Sequence, residues 1–250
     1  MMNIKQYLDS TYLKTPEQAG ISKTETLEKV RELVEEAIKN DFYAVMIRPD
    51  FVSKARKMID NAGKDVKLGT VIAFPEGNVS TKEKIQEATK AIKDGADELD
   101  FVINYTAFKA GNIQGVAKEV KQCNELVLGH GKIIKWIIEA AALTNDEIAR
   151  ITNLIKSVTM EEFPEKAKNV FVKSSTGFYK TRDGQPNGAT EENIKIMIEN
   201  AGELPVKAAG GVRTYQEAEK MVNLGVKRIG ASAAKNIADG SNEVSTSAEY

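Results

Sequence analysis

Short apolar segments alternate with longer amphipathic segments along the whole chain. The apolar segments, such as the run around 67–74, are rich in β-branched and aromatic residues, which favour extended backbone. The pattern predicts eight strands, at residues 6–11, 43–49, 67–74, 97–104, 132–140, 169–175, 205–211 and 226–232.

The longer segments are predicted to be helices, with examples at 22–40, 80–95, 144–158 and 190–202. In the first of these, apolar residues recur at intervals of three and four, at Leu27, Val30, Val34 and Ile38. Two of the predicted starts also carry capping boxes, formed by Ser80 with Glu83 and by Thr144 with Glu147.

Eight strands that alternate with helices predict a parallel sheet. Eight strands in 250 residues favour a closed (β/α)8 TIM barrel over an open doubly wound sheet. The glycine-rich phosphate loop that usually follows the first strand of an open sheet is not found in this sequence. We expect one α/β barrel domain over residues 1–238, with an insertion at 179–188, and a polar flexible C-terminal tail over 239–250.

Composition narrows the possible functions. The net charge of -1 gives no reason to expect a nucleic-acid partner or an acidic membrane surface. The single cysteine, Cys123, excludes an intramolecular disulfide and fits a reducing compartment. No apolar run reaches the ~18 residues of a membrane span, and the N-terminus lacks the apolar core of a signal peptide, so we expect a cytoplasmic protein. Because His130 is the only histidine, a catalytic triad and a zinc site are both improbable.

Charged residues within the strand patterns are the main candidates for chemistry. In the stretch NVFVKSSTGF (169–178), the apolar run ends at Lys173 and hydroxyl side chains follow. Charges inside strands are costly to bury unless they are paired or functional. The other such residues are Asp9, Asp100, Lys135, Glu139 and Lys207.

In a TIM barrel the active site lies at the C-terminal ends of the strands. If the apolar strand faces meet the outer helices, Lys135, Lys173 and Lys207 point into the barrel mouth, where like charge and partial burial would lower their pKa values. A lysine with a lowered pKa is the nucleophile needed for Schiff-base chemistry, and Asp100 would move protons. The alternative for any one lysine is a solvated or salt-bridged residue. For Glu139 we expect a pair with Lys135 or a role in stabilising the strand end.

Glycines after the last two strands indicate a phosphate site. Gly210 and Gly211 lie at the end of the predicted seventh strand, and the stretch from Gly230 to Ser232 lies at the end of the eighth and opens a short helix. Backbone N–H groups in these loops form the usual phosphate site of TIM barrels, to which Gly177 would add one more. The alternative is that these glycines only allow tight turns.

Several stretches resemble the deoxyribose-phosphate aldolases, a family of class I (Schiff-base) aldolases. They occur in the family's order and cover nearly the whole chain; the more specific ones are FVKSSTGF and VKAAGGVRT. The others are YLDSTYLK, AVMIRPDFV, FPEGN, GADELDFVIN, KWIIEAAALTNDEI, GAT and RIGAS. The resemblance implies reversible cleavage of 2-deoxy-D-ribose 5-phosphate to acetaldehyde and D-glyceraldehyde 3-phosphate, without a cofactor or a metal.

The resemblance also implies roles for individual residues. Lys173 would form the Schiff base, Lys207 would keep it neutral, Asp100 would shuttle protons through a water, and Lys135 would support that relay. The C-terminal Tyr250 would transfer a proton at the enamine carbon. The substrate would be bound by Thr11, Thr176, Gly177, Gly210, Gly211 and Ser232.

The chain departs from the family at a few positions. Ser10 stands where many members have histidine, Met46 where several have cysteine, and Ala233 where some have serine. Two alternatives to this aldolase stay open: a non-catalytic sugar-phosphate-binding relative, and a Schiff-base aldolase acting on another phosphorylated aldehyde or ketose. For partners, the resemblance implies a small phosphorylated sugar and a homodimer or higher homo-oligomer.

Overall fold

A computed structural model describes residues 2–182 and 185–243 of the chain. Its eight strands are β1 (Leu8–Tyr12), β2 (Ala44–Ile47), β3 (Lys67–Ile72), β4 (Glu98–Val102), β5 (Ile133–Ile137), β6 (Val170–Lys173), β7 (Val206–Ala209) and β8 (Arg228–Ala231). Each strand pairs in parallel with the next, and β8 pairs with β1, so the sheet closes into a barrel. The predicted (β/α)8 TIM barrel is confirmed.

Helices surround the barrel. Those of the described residues are α1 (Pro16–Ala19), α2 (Lys23–Asn40), α3 (Val52–Ala62), α4 (Thr81–Lys93), α5 (Tyr105–Lys109), α6 (Ile113–Gly129), α7 (Asn145–Glu162), α8 (Glu191–Ala201), α9 (Tyr215–Asn223) and α10 (Ala234–Ala238). Short 3-10 helices lie at Ile4–Tyr7, Pro49–Phe51, Ala140–Ala142 and Pro164–Asn169. Within this part of the chain, none of the helices combines the length and the apolar character that a membrane span requires.

The sequence patterns locate these elements to within a few residues. The capping boxes predicted at Ser80 and Thr144 are both present, and α4 and α7 each begin at the next residue. The strands are shorter than predicted, chiefly at their ends. In β5, for example, the run predicted at 132–140 stops at Ile137, because the backbone turns to a positive φ of 54° at Glu139.

The barrel interior is divided into a charged part and an apolar part. Most buried apolar side chains lie between the strands and the helices, as in the pair of Phe101 and Trp136. Inside the barrel, charged side chains from several strands meet at its centre, and the apolar residues there form a small separate cluster. A TIM barrel usually fills its interior with branched apolar side chains, so a charged centre marks this barrel as functional.

Candidate active site

The structure brings the charged residues of the strand patterns together. Asp100 of β4 lies beside Lys135 of β5 in the sheet, and Lys173 of β6 lies beside Lys207 of β7. All four side chains point into the barrel, and each residue is at most 3% exposed. The alternation of the strands was therefore sufficient to predict this convergence.

Asp100 is the centre of the group. Its Oδ1 accepts a hydrogen bond from Lys135 Nζ at 2.8 Å. Its Oδ2 accepts hydrogen bonds from Lys173 Nζ at 2.8 Å and from Lys207 Nζ at 2.9 Å. Burial alone would raise the pKa of this carboxyl, but the three ammonium groups hold it well below its usual range. Asp100 is therefore an anion at any pH near neutrality.

Lys173 combines burial with access to the mouth. Its pKa is lowered to about 8, first by burial and then by the positive charges of Lys207 and Lys135, while Asp100 opposes the shift. With a pKa of about 8, roughly a tenth of Lys173 is the free amine at pH 7 and about half at pH 8. That Lys173 is a nucleophile stays a prediction, and the lowered pKa is the direction that a nucleophilic amine requires.

The expectation that each lysine lowers the pKa of the others is wrong for Lys135. Its Nζ lies 2.6 Å from Glu98 Oε2 as well as 2.8 Å from Asp100 Oδ1. Burial disfavours the charged form, but the two carboxylates outweigh it and raise the pKa of Lys135 above its ordinary value. Lys135 is consequently protonated, and the two carboxylates that it contacts, not the neighbouring lysines, determine its protonation state.

Sequence reasoning missed two charged residues of the site, Glu98 and Arg228. Both are buried inside the barrel, at 1% and 3% exposure. Arg228 donates to Glu98 Oε1 at 3.0 Å and Oε2 at 2.9 Å and to Asp9 Oδ1 from Nε at 2.7 Å. Glu98 lies two residues before Asp100, on the same strand face, so the alternation that identified Asp100 also pointed to Glu98.

Glu139 does not pair with Lys135. Its Oε2 accepts hydrogen bonds from the hydroxyl of Thr176 and from the Thr176 backbone N–H, the latter at 3.3 Å. Its Oε1 is buried and has no hydrogen-bond partner among the described residues. Burial raises the pKa of Glu139 to about 7, against the hydrogen bonds from Thr176 and the charge of Lys173. Glu139 thus holds Thr176, in the loop after β6, in place and does not join the lysine group.

Two glycine-containing loops, the one between β6 and α8 and the one after β7, meet above these strands. Gly177 has a φ of 82° and Gly210 a φ of 83°, values that side-chain-bearing residues rarely adopt. A Cβ on Gly210 would lie 2.7 Å from Gly188 Cα, and one on Gly188 would lie 2.2 Å from Gly210 O. The glycines are therefore required for loop contact as well as for turning, and Gly188 of the 179–188 segment belongs to this contact.

The remaining predicted substrate-binding residues surround the same face. Gly211 is exposed and has a φ of 82°. Thr11, at the end of β1, is 4% exposed and donates its hydroxyl hydrogen to Asp9 O at 2.8 Å. Thr11 and the half-buried Ser232 line the same cleft, beside β1 and β8. Thr11 and Ser232 are therefore adjacent to the mouth, at the side of the barrel where β8 closes on β1.

The apolar cluster of the barrel interior lies opposite the lysines. It contains Leu13, Met46 and Val71, with Phe74 and Phe178 packed against them. The rings of Phe74 and Phe178 meet edge to face with centroids 5.2 Å apart. Since Phe74 follows β3 and Phe178 follows β6, this pair spans the mouth and narrows it.

The two sulfur-containing side chains that bear on aldehyde chemistry are both buried. Met46 is 1% exposed and presents a thioether to the barrel interior. Gly69 makes room for it, because a Cβ there would lie 2.1 Å from Met46 Sδ. Burial raises the pKa of the Cys123 thiol to about 12, so that its nucleophilic thiolate is scarce.

Residues 179–182, 185 and 186 of the insertion line an open cleft of about 580 Å³ beside the mouth, together with Ala140, Ala141, Leu143 and the start of α8. Its Lys180 and Arg182 are exposed to solvent. At the C-terminus, Ser241 O accepts a hydrogen bond from Tyr215 N at 2.9 Å. Tyr250 lies outside the described residues. Within the described part of the chain, no three His, Cys, Asp or Glu side chains are placed to hold a metal ion.

Comparison with known proteins gives one consistent result. A family model described as DeoC/LacD family aldolase matches residues 5–241. A deoxyribose-phosphate aldolase of Thermococcus gammatolerans is 38% identical over 96% of this chain and 96% of its own length. One from Staphylococcus haemolyticus is 37% identical over 96% of this chain and 97% of its own. The tetrameric deoxyribose phosphate aldolase of Aeropyrum pernix superposes with a TM-score of 0.75 and 28% identity, covering 94% of this chain and 89% of that one.

Proposed function

The chain belongs to the DeoC/LacD family of aldolases and is therefore a carbon–carbon lyase, and we propose that it reversibly cleaves 2-deoxy-D-ribose 5-phosphate through a Schiff base on Lys173. The observation that supports this most is the pair of buried lysines on one carboxylate. Lys173 and Lys207 both donate to Asp100 Oδ2, so only one of them can be stabilised fully as an ammonium.

The reaction follows from the chemistry of an amine and an aldehyde. The free amine of Lys173 adds to C1 of the open-chain sugar, and loss of water gives a protonated imine. The C3 hydroxyl then loses its proton, the bond between C2 and C3 breaks, and its electron pair moves into the imine to give an enamine. D-Glyceraldehyde 3-phosphate leaves, the enamine takes a proton at C2, and hydrolysis releases acetaldehyde and the amine.

The neighbouring charges have different parts in these steps. Lys207 keeps positive charge beside Lys173 and so favours its neutral form between turnovers. Asp100 stabilises the protonated imine as a fixed anion and takes up a proton only transiently, because its pKa is so low. Lys135 holds Asp100 in place at its other oxygen and would support the proton relay. Tyr250, at the C-terminus, is proposed to deliver the proton to C2.

The loops above the lysines would bind the rest of the substrate. Thr176 and Gly177 would position the sugar near the imine, and Thr11 would contact it from β1. Gly210, Gly211 and Ser232 would bind the phosphate, as the loops after β7 and β8 do in other TIM barrels. No cofactor and no metal is needed for this chemistry.

The alternatives are a sugar-phosphate-binding relative and a Schiff-base aldolase for another phosphorylated aldehyde or ketose. The intact group of Asp100, Lys173 and Lys207 argues against a pure binding protein. Ser10, which stands where many members of the family have histidine, bears little on specificity, because it alternates with Asp9 and Thr11 and therefore faces away from the barrel interior.

A substrate panel tests the proposal. We expect release of acetaldehyde and glyceraldehyde 3-phosphate from 2-deoxy-D-ribose 5-phosphate, and loss of this activity in Lys173→Met. Cleavage of a ketose phosphate without activity on deoxyribose 5-phosphate would replace the proposed substrate. The protein is also proposed to be a homodimer or higher homo-oligomer, since the relative from Aeropyrum pernix is tetrameric, and light scattering measures this directly.

A further inference from the structure

Six of the buried charged residues form a closed ring of ion pairs. The order around the ring is Asp9, Lys207, Asp100, Lys135, Glu98 and Arg228, and the last residue pairs with the first. Acidic and basic side chains alternate at every step. The ring therefore contains three carboxylates and three cations, and it has no net charge when all six are ionised.

The contacts around the ring are close. Lys207 Nζ lies 2.5 Å from Asp9 Oδ2, an ion pair that lacks the alignment of a hydrogen bond, and 2.9 Å from Asp100 Oδ2. Lys135 Nζ lies 2.6 Å from Glu98, and Arg228 bonds both Glu98 and Asp9. Each of the six residues is at most 3% exposed. Because water does not screen these charges, a charge missing from any position acts on all the others.

Lys173 is attached to this ring as a seventh residue. Its ion pair among the described residues is with Asp100, Nζ to Oδ2 at 2.8 Å, and not with Glu98. The charged groups near Lys173 are Asp100 of β4, Lys135 of β5, Lys207 of β7 and, after the end of β5, Glu139. The three cations of the ring already balance its three carboxylates, so an ammonium on Lys173 would be an excess positive charge inside the barrel.

We propose that Glu98 and Arg228 are positioning residues that set the net charge of the ring, and that ring neutrality is what leaves Lys173 as the amine. This inference rests on the proposed Schiff-base function. It extends the control of Lys173 beyond its neighbour Lys207 to two residues at the far side of the ring. It also gives a functional reason for buried charges whose desolvation would otherwise only destabilise the fold.

The proposal makes predictions of opposite sign. Glu98→Gln removes a carboxylate, leaves the ring with one excess positive charge and lowers the pH at which Lys173 becomes reactive. Arg228→Gln removes a cation, leaves one excess negative charge and raises that pH. We expect the midpoint of the pH profile, the pH at which half of Lys173 is the free amine, to move by about one pH unit in each variant. On the acidic side of the midpoint this is about a tenfold change in the amine fraction. The double variant restores neutrality and returns the midpoint to that of the wild type.

The experiment follows the initial rate of borohydride trapping with acetaldehyde from pH 5 to pH 10, with the adduct located by peptide mapping. Glu165→Gln, which removes an exposed carboxylate, is the matched control and should leave the midpoint unchanged. Circular dichroism checks that each variant is folded. A merely structural role for Glu98 and Arg228 would lower the rate without moving the midpoint.

Midpoints that stay fixed in both variants, or that move in the same direction, would overturn the proposal. If Arg228→Gln does not fold, Glu98→Gln decides alone: a lower midpoint supports the proposal, and an unchanged or higher one overturns it. Failure of the Schiff-base function itself is separate, because wild-type protein would then give no adduct on Lys173 at any pH.

Discussion

Replacing Glu139 by glutamine tests how much the ionisation of a buried carboxyl group at the barrel mouth destabilises the fold. The residue is 1% exposed, and burial raises its pKa from 4.5 to about 7. The hydrogen bonds from Thr176 and the positive charge of Lys173 oppose this shift without cancelling it. Glutamine has nearly the same shape and cannot ionise, so the variant isolates the cost of the negative charge.

The sign of the effect follows from linkage. Because the pKa of Glu139 is higher in the folded protein than in the unfolded chain, its contribution to stability is complete below about pH 4.5 and is lost as the pH rises through about 7. A shift of about 2.5 pKa units corresponds to about 3 kcal/mol. We therefore expect the free energy of unfolding of the wild type, minus that of Glu139→Gln, to fall by about 3 kcal/mol between pH 4 and pH 8.

Urea denaturation at five pH values across this range measures that difference. In thermal unfolding the same change corresponds to about 6 to 12 °C in the relative Tm of the two proteins. Glu165→Gln, at an exposed position, is the control and should show no such trend. A difference that stays flat within about 0.5 kcal/mol, or that rises with pH, would refute the reasoning.

Three further predictions concern packing and the mouth. Lys84→Met leaves Glu119 buried without its ion-pair partner and should lower the free energy of unfolding, measured by urea denaturation, by about 3 to 5 kcal/mol. The double variant Lys84→Met with Glu119→Gln should lose less, and equal losses of stability in the two variants would contradict this. Met46→Cys places a thiol in the barrel interior, so acetaldehyde should inactivate the variant faster than the wild type, and equal rates of irreversible loss would count against it. Gly188→Ala forces backbone apart at Gly210 and should lower kcat/KM by about 100-fold; an unchanged value would show that the loop contact is dispensable.

The fold and the lysine group could be predicted from sequence because both depend on local patterns. Period-two alternation determines which strand residues share a face, and eight strands leave few parallel architectures. The position of Lys173 at the end of an apolar run and the glycines after β7 followed from the same reasoning. These signals need no knowledge of which strand positions lie opposite each other.

The features that sequence reasoning missed depend on register. Although burial opposes it, the pKa of Lys135 is raised because its ammonium contacts Asp100, directly across from it on β4, and Glu98, two residues earlier on that strand. Which residues of two strands face each other is not encoded in either strand alone. Alternation also failed for Glu139, since the strand ends at Ile137 and a φ of 54° turns the side chain toward Thr176. The closed ring through Arg228 required the barrel to be closed before it could be recognised.

The most direct measurement is mass spectrometry of the protein after treatment with acetaldehyde and borohydride, followed by peptide mapping. We predict a stable two-carbon adduct confined to Lys173 and suppressed by Lys207→Leu. Labelling scattered over exposed lysines, or no labelling, would contradict the proposed Schiff-base mechanism and would favour the sugar-phosphate-binding alternative.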